Sequence, residues 1–216
     1  DGHDRPRGLL DEKLQDGGVR FERDDVARLR ANYAGKVTLI DDQIGEVLRA
    51  VDERGEWERT VVALVSDHGE MNGDYRLIYK GNFLNPAARV PFVIRAAGAT
   101  AGTVANSIVE LMDVGPTLVE LAGGRPLRHS LAKSVVPLLD DPSRRHREVG
   151  LSELRREIML ATPDWKVAQN RAGEVYLLFD LRADPSETRN VAGVRDYQEI
   201  ERDLHRQLER AVRAAR

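Results

Sequence analysis

The stretch of sequence that decides the fold reads TVVALVSDHG and covers residues 60–69. Residues 61–65 are apolar with no polar alternation, which is typical of a strand that is buried on both faces of a parallel sheet. The strand runs directly into Asp67, His68 and Gly69, a combination typical of a tight turn. In open α/β sheets, ligands bind at the carboxyl ends of the strands. This turn is therefore the first candidate for a functional site.

Periodic patterns on both sides of this strand predict an α/β layer. Apolar residues recur at three- and four-residue steps over residues 24–55 and predict a long amphipathic helix. Residues 90–94 predict a second buried strand, and residues 114–121 predict a further helix. This order of elements is typical of a three-layer α/β fold. We expect residues 24–140 to form a mostly parallel layer in which residues 61–65 are a central strand.

The pattern changes after Pro142. Four short strand-like runs, with turn residues and no helix between them, predict an antiparallel meander; they cover residues 149–153, 157–161, 166–169 and 175–180. Apolar residues at helical spacing over residues 200–212 predict a final amphipathic helix. We therefore divide the chain into an α/β domain, residues 1–145, and a small subdomain of antiparallel sheet and helix, residues 146–216.

Composition narrows the classes of function. The chain has 216 residues, of which 41% are hydrophobic and 32% charged, with a formal net charge of −3. This charge gives no electrostatic reason to expect nucleic acid as a partner, and no apolar run is long enough to predict a membrane span. Arg147 has acidic neighbours in the sequence, and His146 belongs to no recognisable motif. We therefore expect both residues on solvated faces. The absence of cysteine excludes a disulfide framework, a thiol nucleophile and a thiolate metal site within these residues.

The candidate turn carries residue types that suit a cation. Asp67 offers a hard carboxylate oxygen and His68 a neutral imidazole nitrogen, so the two could face one metal ion. The alternative is a structural turn in which the side chains cap backbone amides. Lys80 follows His68 by twelve residues in a loop rich in turn formers. It could hold an anionic ester, or it could be an ordinary solvated lysine.

Six segments in a fixed order, between residues 33 and 192, carry a family resemblance. They are Tyr33-Ala34 with residues 39–45; residues 66–74; Lys80 with residues 89–91; residues 113–118 with 121–123; Ser130-Leu131 with residues 137–139; and residues 176–181 with 184–185, Glu187 and 190–192. Together they resemble the sulfatase family of the alkaline phosphatase superfamily. Residues 67–80 are most similar to its choline-sulfatase and phosphonate monoester hydrolase branch.

The resemblance implies the C-terminal half of a three-layer, alkaline-phosphatase-like core, and roles for three residues. Asp67 and His68 would be metal ligands, although His68 could instead bond to the ester oxygen. Lys80 would bind the sulfate or phosphate oxygens and stabilise charge in the transition state. The family implies a divalent cation that acts as a Lewis acid, with calcium expected and manganese or zinc possible in some branches.

The chain also departs from the family pattern. The family nucleophile, commonly a formylglycine made from Cys or Ser, is expected in an N-terminal half together with two more aspartate ligands. No Cys-x-Pro-x-Arg segment occurs here. Asn85 stands where sulfatases often carry Glu, and Tyr75 where His is common. We therefore expect the 216-residue chain alone to be inactive, and to self-associate or to bind its N-terminal half through exposed apolar surface.

Three functions compete at this point. The first is a metal-dependent hydrolase of small sulfate esters. The second is a phosphodiesterase or phosphonate monoester hydrolase on the same fold, since sulfate and phosphate esters present similar tetrahedral anions. The third is a non-catalytic fragment or pseudoenzyme. The segment that holds the nucleophile would separate the first two.

Overall fold

The computed structural model describes residues 23–125 and 131–215. Residues 1–22, and Ser130 of the sequence resemblance, lie outside the described residues. The described chain forms two compact units, one of residues 23–80 and 86–101 and the other of residues 81–85, 102–125 and 131–215. The domain boundary expected between residues 145 and 146 stays a prediction. Within the two described ranges, no helix is both long enough and apolar enough to cross a membrane.

The chain mixes helices with two antiparallel sheets, which confirms the class of mixed helices and strands. The helices are α1 (Arg23–Glu53), α2 (Asn85–Ala88), α3 (Val114–Leu121), α4 (Val136–Asp140) and α5 (Gln198–Ala215). The strands are β1 (Val62–Val65), β2 (Phe92–Arg95), β3 (Gly150–Leu154), β4 (Glu157–Ala161), β5 (Trp165–Gln169) and β6 (Val175–Asp180). Short 3₁₀ helices cover Trp57–Arg59, Asp74–Arg76, Leu111–Asp113 and Arg195–Tyr197.

Helix α1 confirms the long helix predicted from periodicity, and it is continuous over 31 residues. Asp24 and Asp25 lie in its first turn, where carboxylates interact favourably with the helix dipole. After the helix, Gly55 adopts a left-handed φ of 65° and its amide bonds to the Asp52 carbonyl at 2.8 Å. This is the conformation that glycine adopts most readily after a helix end, so the helix stops where the sequence predicted.

Strands β1 and β2 pair antiparallel, with Val65 opposite Phe92. The prediction of a mostly parallel layer is therefore wrong for this pair. Residues 61–65 are also not central, because β2 is the only strand that pairs with β1 among the residues that the structure describes. The connection explains the direction: the Gly69 amide donates to the Ala87 carbonyl at 2.8 Å. The chain thus enters β2 at the end where it left β1, whereas parallel pairing needs a crossover.

Large apolar side chains remain exposed in this first unit. The cross-strand neighbours Leu64 and Val93 are 46% and 59% exposed. No side chain of α1 is buried by the described residues, and Ile40 and Val47 are 58% and 64% exposed. The buried side chains of the unit instead lie mainly in the loop after β1; they include Met71, Tyr75, Leu77 and Ala87.

The second unit contains the predicted meander and final helix. Strands β3 to β6 pair antiparallel in sequential order, and α5 packs on the sheet. The buried cluster between them consists of Ile158, Leu160, Val167, Leu178, Val191, Leu204 and Leu208. Leu204 and Leu208 are one helical turn apart, so they share the face of α5 that covers the sheet. The prediction of a small antiparallel sheet backed by a helix is confirmed.

Two buried charged clusters stabilise this second unit, and one corrects the sequence prediction. The Arg147 and His146 side chains are only 11% and 7% exposed rather than solvated, because both bond to the fully buried carboxylate of Asp113. Burial raises the pKa of Asp113, but the Arg147 guanidinium and the backbone amides of Lys133 and Glu110 outweigh it and lower the pKa to about 2.

The second cluster is built around the ammonium group of Lys166. It forms an ion pair with Glu187 and donates to the Phe83 carbonyl at 2.9 Å and to Asn85 Oδ1 at 2.7 Å. The Asn85 amide in turn donates to Glu187 at 2.6 Å. Asn85 therefore supplies a neutral acceptor, whereas a glutamate at this position would place a second carboxylate beside one ammonium.

Candidate active site

The turn after β1 is held by backbone contacts that tolerate no side chain at Gly69. The Gly69 amide donates to the Ala87 carbonyl, and a Cβ at Gly69 would lie 1.9 Å from the Pro86 carbonyl oxygen. The Ser66 hydroxyl donates to the His68 carbonyl at 2.8 Å. The backbone therefore fixes the direction in which the Asp67 and His68 side chains leave the turn.

The Asp67 and His68 side chains face each other. His68 Nε2 lies 3.3 Å from Asp67 Oδ2, while Nδ1 lies 2.9 Å from the Gly69 carbonyl. Because a carbonyl only accepts, Nδ1 carries a proton, and in a neutral ring Nε2 then presents its lone pair toward the carboxylate. The hydrogen bond from the His68 amide, with a smaller effect from the charge of Lys80, outweighs desolvation and lowers the pKa of Asp67. Asp67 is thus an ionised carboxylate at neutral pH.

This pair fits part of a metal coordination set. Two acceptor atoms 3.3 Å apart suit a cation placed between them, and a carboxylate oxygen beside an imidazole nitrogen suits a divalent ion. Within residues 23–125 and 131–215, no group of three or more His, Cys, Asp or Glu side chains is arranged to hold a metal. This pair therefore offers two candidate ligands, fewer than a hard cation such as calcium requires.

The loop that carries Lys80 folds back toward the turn. The Met71 amide donates to the Tyr79 carbonyl at 2.8 Å, and the Gly73 amide donates to the Leu77 carbonyl at 2.8 Å. Lys80 is exposed, and its charge helps to lower the pKa of Asp67. The loop thus brings Lys80 to the same end of β1 as Asp67 and His68, although their catalytic and binding roles stay predictions.

Sequence reasoning missed the residues that hold this loop. Arg30 of α1 forms an ion pair with Asp74 at 2.7 Å and also donates to the Asn72 carbonyl at 3.3 Å. A Cβ at Gly73 would lie 2.7 Å from Val26 Cγ1, so α1 and the loop pack closely there. No local sequence pattern predicted this role of Arg30, because its partner Asp74 lies 44 positions further along the chain.

Several non-glycine residues of the loop adopt left-handed backbone conformations. They are Asn72, Tyr75, Arg76 and Tyr79, with φ values of 47°, 55°, 59° and 65°. Tyr75, which stands where the family commonly has His, is buried. Left-handed φ is uncommon outside glycine and costs free energy, so such residues persist only where surrounding contacts enforce them. Here the strained residues lie along the chain between the Asp67–His68 pair and Lys80.

Family models match most of the chain. The model described as Sulfatase matches residues 4–124, and the model described as N-sulphoglucosamine sulphohydrolase, C-terminal, matches residues 73–214. The first match covers the candidate turn and Lys80, and the second continues through the meander to α5.

Individual relatives point to the same family. The multifunctional alkaline phosphatase superfamily protein PehA of Trinickia caryophylli is 32% identical over 219 residues, covering 91% of this chain and 43% of PehA. Arylsulfatase K of Homo sapiens is 31% identical over 189 residues, covering 80% of this chain and 35% of that protein. The solved phosphonate monoester hydrolase of Silicibacter pomeroyi has a TM-score of 0.82 at 25% identity, covering 92% of this chain and 44% of that one.

The chain spans less than half the length of each of these three proteins. The fold of its described residues and the two family matches agree with the resemblance read from six sequence segments. The chain belongs to the sulfatase family of the alkaline phosphatase superfamily.

Proposed function

We propose that the protein containing this chain is a metal-dependent sulfatase that hydrolyses a small sulfate ester. The observation that carries the proposal is the placement of Asp67, His68 and Lys80 at one end of β1, within the span of the sulfatase family match. An ionised carboxylate, an imidazole lone pair and an ammonium group together suit a cation and a tetrahedral anion. Neither nucleic acid nor a membrane enters this proposal.

Each residue has a defined task in this scheme. Asp67 and His68 hold a divalent cation, for which calcium is the expected ion and manganese and zinc are the alternatives. When bound, the cation supplies Lewis-acid polarisation of the ester. Lys80 binds the non-bridging sulfate oxygens and stabilises the charge that develops on them. The nucleophile, a formylglycine in the sulfatase scheme, must come from outside these 216 residues if its precursor is cysteine, because the chain contains none.

The cation can be tested separately from the chemistry. The bound ion is identified by measuring the metal content of the gene-encoded protein, by which we mean the complete protein that contains this chain. The protein is dialysed against mixed calcium, manganese and zinc and then analysed by mass spectrometry. We expect calcium at about one ion per chain, and loss of it in Asp67→Ala. An Asp67→Ala variant that retained the wild-type metal content would remove this residue from the ligand set.

A phosphonate monoester hydrolase or phosphodiesterase is the second candidate, and the likeness to the Silicibacter phosphonate monoester hydrolase favours it. The two functions differ in kcat/KM for 4-nitrophenyl sulfate and for an aryl phosphonate monoester, measured on the gene-encoded protein. The sulfatase proposal requires the sulfate ester to be the better substrate by at least about tenfold, a transition-state difference of about 1.4 kcal/mol. The reverse order would support the second candidate, and turnover of neither ester would support a non-catalytic protein.

The exposed apolar residues motivate a proposal about partners. Leu64 and Val93 on the sheet, with Ile40 and Val47 on α1, are all more than 45% exposed. We propose that the 216-residue chain alone forms homo-oligomers or binds the N-terminal half of a sulfatase fold through these residues, because such apolar surface favours association. Sedimentation of the chain alone as a monomer that binds no hydrophobic dye would contradict this.

A further inference from the structure

The carboxylate of Glu70 joins the two ends of the loop that carries Lys80. One oxygen, Oε1, accepts the Tyr79 amide at 2.5 Å and the Asn72 amide at 3.1 Å. Glu70 follows His68 by two residues, and Tyr79 directly precedes Lys80. The half-buried Glu70 side chain therefore connects the backbone next to Asp67 and His68 to the backbone next to Lys80.

Both residues whose amides reach Glu70 have left-handed backbones. Tyr79 has a φ of 65° and Asn72 a φ of 47°. The Tyr79 side chain is 57% exposed, so packing of the ring does not account for the conformation. The backbone contacts do, because the Tyr79 amide bonds to Glu70 and its carbonyl accepts the Met71 amide at 2.8 Å.

A change of φ at Tyr79 would redirect the chain at the next residue, Lys80. Without the carboxylate, the tyrosine would relax toward negative φ, where side chains are unstrained. Positioning groups act on rate through such small displacements, and a shift of about 1 Å at a reacting group can lower the rate about 100-fold. The left-handed conformation of Tyr79 therefore affects the position of the Lys80 side chain.

We propose that Glu70 is a positioning residue for Lys80, which holds Tyr79 in the left-handed conformation that aims the lysine at the bound sulfate group. The inference rests on the proposed function of Lys80 as an anion-binding group. Glu70 itself contacts backbone amides rather than substrate, so it acts through the loop.

A rescue experiment on the gene-encoded protein tests the proposal. Glu70→Ala removes the acceptor, Glu70→Gln keeps a side-chain oxygen, and Glu70→Ala/Tyr79→Gly adds a residue that adopts positive φ without strain. Asp141→Ala is the matched control, because Asp141 also accepts a backbone amide, that of Ser143 at 3.0 Å, but lies in the other unit. Each variant is measured for kcat and KM on 4-nitrophenyl sulfate, for affinity toward inorganic sulfate by calorimetry, and for metal content.

We expect Glu70→Ala to lower kcat about 10- to 100-fold and to weaken sulfate binding, with metal content unchanged. Glu70→Gln should retain most of the activity, and the double variant should recover about tenfold over Glu70→Ala. A double variant no better than Glu70→Ala, or a Glu70→Ala variant as active as the control, would overturn the proposal. Loss of metal from Glu70→Ala would also overturn it, since Glu70 would then support the metal pair.

The calorimetric measurement separates this proposal from the proposed function. If the wild-type protein binds sulfate but hydrolyses no sulfate ester, the function fails, while the order of sulfate affinities among the variants still decides the role of Glu70. If the wild-type protein binds no sulfate at all, Lys80 is not an anion site and the positioning role fails with it.

Discussion

The buried ion pair of Lys166 and Glu187 makes a quantitative prediction about stability. Both side chains are almost fully buried, at 3% and 0% exposure, and the Lys166 ammonium also donates to the Phe83 carbonyl and to Asn85 Oδ1. Replacing Lys166 with Met leaves the Glu187 carboxylate uncompensated in the interior. Removal of one partner of a buried pair costs about 3–5 kcal/mol, which is a large share of the roughly 5–15 kcal/mol that stabilises a typical domain.

The double replacement distinguishes pairing from packing. Once Lys166 is Met, replacing Glu187 with Met removes the stranded charge but leaves the Asn85 amide without its acceptor, at a cost of about 1–3 kcal/mol. The relief of the stranded charge is the larger of the two effects, so the double variant should be at least as stable as the Lys166→Met variant. The coupling energy of the cycle should then be at least about 2 kcal/mol.

Equilibrium urea unfolding of the gene-encoded protein, followed by circular dichroism, measures the four free energies of the cycle. The matched control is the exposed pair of Arg206 and Asp203 on α5, for which the coupling should stay below about 1 kcal/mol. Additive losses at Lys166 and Glu187, with no coupling beyond that of the control, would refute the reasoning that the two charges require each other.

Further predictions concern the turn and the buried aspartate. Gly69→Ala should lower the free energy of unfolding by about 1–3 kcal/mol and reduce activity, because the new Cβ meets the Pro86 carbonyl. The control Gly45→Ala lies on open helix surface and should raise the free energy of unfolding by about 0.5–1 kcal/mol in the same urea titration. The pKa of Asp113 lies below its ordinary value of 3.8, so its contribution to stability is present above about pH 4 and is lost as the pH falls toward 2. A pKa lowered to about 2 corresponds to about 2 kcal/mol, and thermal melts from pH 7 to pH 2 should show a shallower acid loss in Asp113→Asn; an unchanged acid profile would contradict this.

The secondary structure was largely predictable because its signals are local. Residue periodicity fixed α1, α3 and α5, and short β-prone runs between turn residues indicated the meander that became β3 to β6. The direction of β2 relative to β1 was not predictable in this way. It depends on the path of the loop between them, which the Gly69–Ala87 hydrogen bond closes at its base.

The candidate site was predictable only where a motif carried it. The family resemblance implies roles for Asp67, His68 and Lys80. The sequence does not indicate the contact of Glu70 with the Tyr79 amide, nor that of Arg30 with Asp74, which lies 44 positions later. Lys166 shows the limit most clearly. A lysine within a strand predicts a solvent-facing position, and only the three-dimensional pairing with Glu187, 21 positions later, makes its burial favourable.

The central claim is that Lys80, beside Asp67 and His68, binds the sulfate group of an ester substrate. The most direct test is kcat/KM for 4-nitrophenyl sulfate in the gene-encoded protein and in Lys80→Ala, with Lys36→Ala on the exposed surface of α1 as the matched control. Loss of an electrostatic stabiliser of the transition state should lower kcat/KM by about 100-fold or more in Lys80→Ala, while Lys36→Ala should match the wild type. Wild-type turnover in Lys80→Ala would contradict the assignment.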